Sequence, residues 1–230
     1  MSEGWHRKTL ENKSALFAVL STVAISIGGI VEIVPMYTAA YGPEEMDGIR
    51  PYTPLQVAGR DIYVREGCYT CHSQMVRPMR AETLRYGEWT RAGEYAYDRP
   101  FQIGSRRVGP DVQRVGGKYP DAWHFEHMRD PRATSPGSIM PAYAWLVDDE
   151  VDPADIAASV QALATLGTPY DDTSEAGVKA SMDAEAAQIV ARLAGANITV
   201  APNKEIVAMI AYLQRLGTDG RAVLAAGVAP

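Results

Sequence analysis

Apolar positions along this chain follow two different patterns. From Ser14 to Tyr37 they run almost unbroken: Ala15 to Leu20, Val23 to Ile25, Ile27 to Val31, then Ile33, Val34 and Met36. A helix over this stretch, at ~1.5 Å per residue, covers the roughly 30 Å hydrocarbon core of a bilayer. The run is longer than most buried helices of soluble domains. It is followed by Glu32-Ile33-Val34-Pro35 rather than by a small-x-small cleavage site. Both points favour an uncleaved transmembrane anchor over a core helix or a signal peptide.

Beyond the anchor the apolar positions recur at helical spacing. Thr53 as cap and Pro54 at the first helical position open a helix from Leu55 to about Arg65, with Leu55, Ala58, Ile62 and Tyr63 on one side and Gly67 at its end. Gly59 inside it costs helix stability, which predicts a close helix crossing there. Trp123 to Arg129 predicts a short helix carrying His124 and His127 near one face. Three longer helices follow: Asp152-Pro153 to Gly167, Ser174 to near Gly195, and a last one capped by Asn203 and ended by Gly217. Met182 and Met209 fall on the apolar stripes of the last two and read as core. No strand pattern competes, so the class is mainly α.

Composition and charge narrow the function. The 230 residues carry a formal net charge of −6 and are 47 % hydrophobic, enough for one ordinary domain plus extra segments. That acidic balance gives no support for nucleic-acid binding. Arg7, Lys8 and Lys13 precede the apolar run, and Glu44, Glu45 and Asp47 follow it. The positive-inside rule then puts the N-terminus in the cytoplasm and the rest of the chain outside. Glu32 within the run either snorkels to the interface or faces a partner. The expected organisation is a cytoplasmic segment 1–13, a membrane anchor 14–37, a linker 38–54, a main domain 55–220 with a helical insertion about 152–195, and a loose tail 221–230.

The chemistry concentrates at Cys68-Tyr69-Thr70-Cys71-His72, which reads C-x-x-C-H, the attachment signature of a c-type haem. Two thiols at this spacing reach the two vinyl groups of one porphyrin edge. The adjacent histidine supplies an axial ligand to iron. These are the only cysteines in the chain. A thioredoxin-like dithiol needs a βαβ context that the pattern lacks. A zinc site with Cys68, Cys71, His124 and His127 has a short H-x-x-H spacing and leaves His72 unexplained.

A second iron ligand is then required from among Met75, Met79, Met128, Met140, His124 and His127. Met75 and Met79 follow His72 too closely to reach the far face easily. Met140 lies in Ser135-Pro136-Gly137-Ser138-Ile139-Met140-Pro141, where two prolines restrict the backbone and fix the sulfur. It is the favoured ligand. Between these stretches lies a long polar segment with Arg77, Arg80, Arg85, Arg91, Arg99, Arg106 and Arg107. It suits haem propionates or an acidic partner, or is a solvated loop.

Taken together, these pieces resemble class I cytochrome c: Gly59 and Tyr63 on the first helix, Cys68 to His72, Gly109-Pro110, Met140, and Ile206 to Leu216. Trp5-His6-Arg7, the span ending Ser26-Ile27-Gly28-Gly29-Ile30-Val31-Glu32-Ile33-Val34-Pro35, Cys71-His72-Ser73-Gln74 and Ser138-Ile139-Met140-Pro141 further resemble the mono-haem subunit of cbb3-type cytochrome c oxidases, the FixO or CcoO family. The resemblance covers nearly the whole chain. It implies one covalently bound haem c, with the carbonyl of Pro110 holding the axial His72. It implies a bacterial inner-membrane protein with a periplasmic haem domain. It also implies an electron relay from a di-haem cytochrome c subunit to the catalytic haem-copper oxidase subunit, which reduces oxygen. The long segment between His72 and Pro110 and the helical pair from Asp152 to Gly195 depart from small cytochromes c. An open axial site, as in a haem enzyme or gas sensor, is the alternative if Met140 is not on the iron.

Overall fold

A computed structural model describes residues 4–37, 46–104 and 106–227. The chain divides into two compact units, Met1–Pro43 and Glu44–Pro230. Part of the expected linker, residues 38–45, lies outside the described residues, as do 228–230.

The first unit holds a π-helical turn, Arg7–Glu11, and α1, Ser14–Tyr37. Within α1 the stretch Ser14–Val34 is long and apolar enough to cross a membrane. Such a helix buries its side chains only in lipid or against a partner.

The second unit is helical, and its described residues contain only one isolated bridge, between Glu150 and Lys204. Its helices are α2 (Pro54–Arg65), α3 (Arg80–Tyr86), α4 (Asp121–Arg129), α5 (Pro131–Thr134), α6 (Pro153–Thr165), α7 (Glu175–Ala194), α8 (Glu205–Arg215) and α9 (Thr218–Ala225). The start of α2 is fixed locally. Gln56 N donates to Thr53 Oγ1 at 3.3 Å, and Thr53 N donates to Gln56 Oε1 at 3.1 Å, a reciprocal cap. Asp152 and Ser174 cap α6 and α7 through Ala154 N and Gly177 N. The start of α8 differs from expectation. Asn203 is not its cap; Lys204 precedes the helix without a side-chain cap, and Glu205 N instead donates to Asp149 O at 3.0 Å. A neighbouring loop supplies the acceptor that a side chain would otherwise provide.

The core is organised by α8, which is buried on every face from Glu205 to Leu213. Its most extensive contact is with α2. Each fully buried aliphatic side chain in it, such as Ile206 or Ile210, contributes about 1.5–3 kcal/mol of transfer free energy. Tyr63 of α2 and Tyr212 of α8 meet edge-on at 5.4 Å between centroids. The α6–α7 pair packs against both through Val160, Val178, Met182, Ile189 and Leu193. Met182 and Met209 are buried, as core positions should be.

Residues 221–225 are helical where a loose tail is expected. Asp219, buried at the start of α9, accepts from Arg50 N at 2.9 Å, from Arg50 Nη2 at 2.8 Å and from Arg215. Val223 is buried. A distant arginine thus anchors a segment whose alanine–glycine composition gives little local signal.

Candidate functional site

The end of α2 leads through Gly67 into a tight turn over Cys68–Thr70. Cys71 N and His72 N both donate to Cys68 O, at 3.2 and 2.9 Å. This folds the five-residue motif back on itself, so that both thiols and the imidazole face one cavity of about 540 Å³. Burial, aided by Glu66, pushes the Cys68 thiol up to about 12. Such a thiol is a poor thiolate nucleophile, which argues against a redox dithiol. Among the described residues no three His, Cys, Asp or Glu side chains are grouped to hold a metal ion, so the Cys2His2 zinc arrangement is not formed.

His72 is oriented from behind. Its Nδ1 lies 2.8 Å from Pro110 O. A carbonyl can only accept, so Nδ1 carries the proton and Nε2 keeps its lone pair free for a metal. The stretch 109–112 is tied to the motif: Gly109 N donates to Cys71 O at 3.0 Å, and Val112 N to Ser73 O at 2.9 Å. Gly109 lies so close to the imidazole that a β-carbon there would sit 2.7 Å from His72 Nε2.

The arginine-rich segment braces this arrangement. Asp111 is buried and accepts from Ser73 Oγ at 2.6 Å, Met75 N at 2.8 Å and Gln113 N at 2.9 Å. Arg107 donates to Ser73 Oγ at 2.7 Å, to Met75 O at 2.7 Å and to Glu82 at 2.7 Å. Arg107 and Arg77 hold the Glu82 carboxyl down at about 2, the Arg107 hydrogen bond being the largest cause. Arg114 pairs with Glu94 in the interior, and Arg91 lies 3.1 Å over the Trp89 ring while donating to Glu88. Several of these arginines are therefore committed internally, neither solvated as in an open loop nor free for a partner.

The opposite part of the motif list divides cleanly. Met140, Met128, His124 and His127 line the cavity; Met75 and Met79 do not, and Met79 is exposed. Met140 is half-buried, its N donating to Ser138 Oγ at 3.2 Å. Tyr143 N donates to Met128 O at 2.8 Å, which ties the methionine loop to α4. α4 itself is held by Asp121, which accepts from Arg192 Nε at 2.6 Å and Gln214 Nε2 at 2.7 Å. His127 stacks on Trp123 at 4.4 Å and its Nδ1 meets Thr134 Oγ1 at 2.6 Å. Val112, Met209 and Leu213 add apolar wall.

A cavity of this size, with paired thiols, a histidine of fixed tautomer and a glycine pressed against its ring, fits a haem. Sequence reasoning placed Cys68, Cys71, His72, Pro110 and Met140, and all five lie on this cavity. It missed Asp111 and Arg107 as the brace, and Tyr143 at the wall. The only available signal for these was their nearness in sequence to Gly109-Pro110 and to Met140.

In comparison with known proteins, a family model described as "Cytochrome C oxidase, mono-heme subunit/FixO" matches residues 6–220. No curated protein matches the chain.

Proposed function

Because the chain belongs to the FixO family of mono-haem cytochrome c oxidase subunits, we propose that it is an electron relay with one haem c held covalently by Cys68 and Cys71. His72 and Met140 are its axial ligands, and the Pro110 carbonyl fixes the His72 tautomer. The single observation that carries this reading is that both thiols, the free Nε2 edge of His72 and the Pro-bounded Met140 loop share one cavity. When bound, haem supplies a one-electron iron couple, and methionine ligation sets its potential high.

The residues of the chain have distinct parts in this. Pro110 and Gly109 hold the imidazole; the Asp111–Arg107–Glu82 network holds the segment bearing them. Met128, Met209 and Leu213 exclude water, which keeps the dielectric low and limits reorganisation. His72 and Met140 together would hold the iron without an open position for oxygen, so in this reading the chemistry at oxygen belongs to the catalytic haem-copper subunit. A di-haem cytochrome c subunit is the electron donor in this reading. The anchor α1 lies in the inner membrane with the N-terminus cytoplasmic and the haem domain periplasmic, as the charges flanking it suggest.

The test is spectroscopic. A haem-stained denaturing gel should show a stained band for this chain, resistant to acid–acetone extraction. The oxidised protein should be low-spin with a methionine–iron charge-transfer band. Met140→Leu should abolish that band, lower the potential and admit carbon monoxide. An unaltered spectrum in Met140→Leu would assign the sixth position elsewhere. Carbon monoxide binding by the unaltered protein would favour an open-site haem enzyme or sensor.

A further inference from the structure

His124 of α4 has a role that axial ligation and core packing leave unexplained. It is 1 % exposed, and neither ring nitrogen has a hydrogen-bond partner among the described residues. It lines the same cavity as the Cys68–His72 turn. Burial holds its pKa down at about 4, so the ring is neutral, with one N–H donor and one lone pair. Buried donors of this kind are paired in native proteins, so something entering the cavity pairs with it.

The neighbouring histidine shows the contrast. His127 already has a partner in Thr134. His124 meets the aromatic edges of Trp123 at 5.3 Å and Tyr119 at 6.2 Å, and the nearby Asp121 carboxylate, whose charge it feels, is already engaged by Arg192 and Gln214. On the same stretch of wall Lys118 lies over the Tyr119 ring. The cavity wall that carries Tyr119 therefore offers a neutral N–H donor from His124 and a cation from Lys118, which suits a carboxylate. Tyr143, by contrast, lies towards Cys68 and Cys71, and burial raises its pKa.

Apart from the vinyl groups taken by the cysteines, the polar groups a haem offers to protein are its iron and its two propionate carboxylates, and only the propionates accept a hydrogen bond. Resting on the reading that His72 and Met140 take the iron, we propose that His124 donates its ring N–H to a haem propionate and positions that edge of the cofactor. Thioether attachment through the vinyl groups leaves the propionates on the far edge of the porphyrin, so this bond fixes the end that the cysteines do not.

The experiment uses the haem-loaded full chain in detergent. In the reduced, diamagnetic protein, nuclear Overhauser contacts should connect the His124 ring to propionate methylene protons. His124→Leu should shift the propionate-bending Raman band and lower the potential while keeping the methionine–iron band. His124→Gln, which restores an amide donor, should return both towards the original values. Absence of the Overhauser contacts, or an unmoved Raman band and potential in His124→Leu, overturns the proposal. A spectrum that lacks the methionine–iron band, is unchanged in Met140→Leu and turns high-spin in His124→Leu would instead make His124 an iron ligand. Should His124→Leu fail to fold, the Overhauser contacts and His124→Gln decide alone. A chain without a Soret band refutes the haem reading itself, and is distinguishable from all these outcomes.

Discussion

Gly59 of α2 lies directly against the backbone carbonyl of Ala208 in α8. A β-carbon on Gly59 would collide with that oxygen and would stand 2.7 Å from Tyr212 Cβ. Because the obstacle is backbone, it cannot rotate away. Gly59→Ala should therefore destabilise the domain despite alanine's better helix propensity, and Gly59→Leu more so, by about 1–3 kcal/mol or above. Denaturant titration of the full chain in detergent measures this as a lower midpoint. Haem staining should persist through it, since thioethers survive unfolding, while the methionine–iron band should vanish at lower denaturant. An unshifted midpoint would mean that α2 and α8 do not cross here.

The second prediction concerns Gly109. Adding a methyl group pushes on the His72 ring, which is held between Gly109 and Pro110 O. Gly109→Ala should tilt the imidazole and weaken its hydrogen bond, lowering the basicity of Nε2. The measurable result is altered g-values in the electron paramagnetic resonance spectrum with haem still attached. Identical g-values would show that the ring is not confined by Gly109.

Glu82 links pH to stability. Its carboxyl is held at about 2 in the fold, against 4.5 unperturbed, chiefly by Arg107. A depressed carboxylate pKa contributes stability that is complete above about 4.5 and is lost as pH falls towards about 2. Glu82→Gln should thus destabilise the protein at pH 7 by about 1–3 kcal/mol, because Arg107 loses a charged partner. The gap between the two proteins should close as melts are repeated at falling pH between these values. A gap independent of pH would show that the Arg107–Glu82 bond is not ionic.

Topology has its own check. A reporter active only in the cytoplasm, fused after Pro230, should be silent, and protease added to spheroplasts should cut beyond Tyr37 while sparing the first residues. Reporter activity would reverse the orientation inferred from Arg7, Lys8 and Lys13.

Local chemistry made much of this legible from the sequence. The apolar run Ser14–Val34, the caps Thr53, Asp152 and Ser174, and the C-x-x-C-H turn each depend on residues within a few positions of one another. Short-range spacing therefore determines them. Gly59 belongs here too, since a glycine in a helix signals a close neighbour. Which neighbour it meets, the Ala208 carbonyl, depends on how α2 and α8 cross. The failure at Asn203 has the same origin: Asp149, brought alongside by the fold, satisfies the amide that a local cap would have taken. Pairings such as Arg107 with Glu82, Arg114 with Glu94 and Arg50 with Asp219 join residues 20 to 169 positions apart. Charge alone makes many such partners possible; only packing selects among them. The isolation of His124 is likewise a tertiary fact. A histidine on a short helix reads the same whether exposed or buried, and only the packing of α4 into the domain decides that this one is buried.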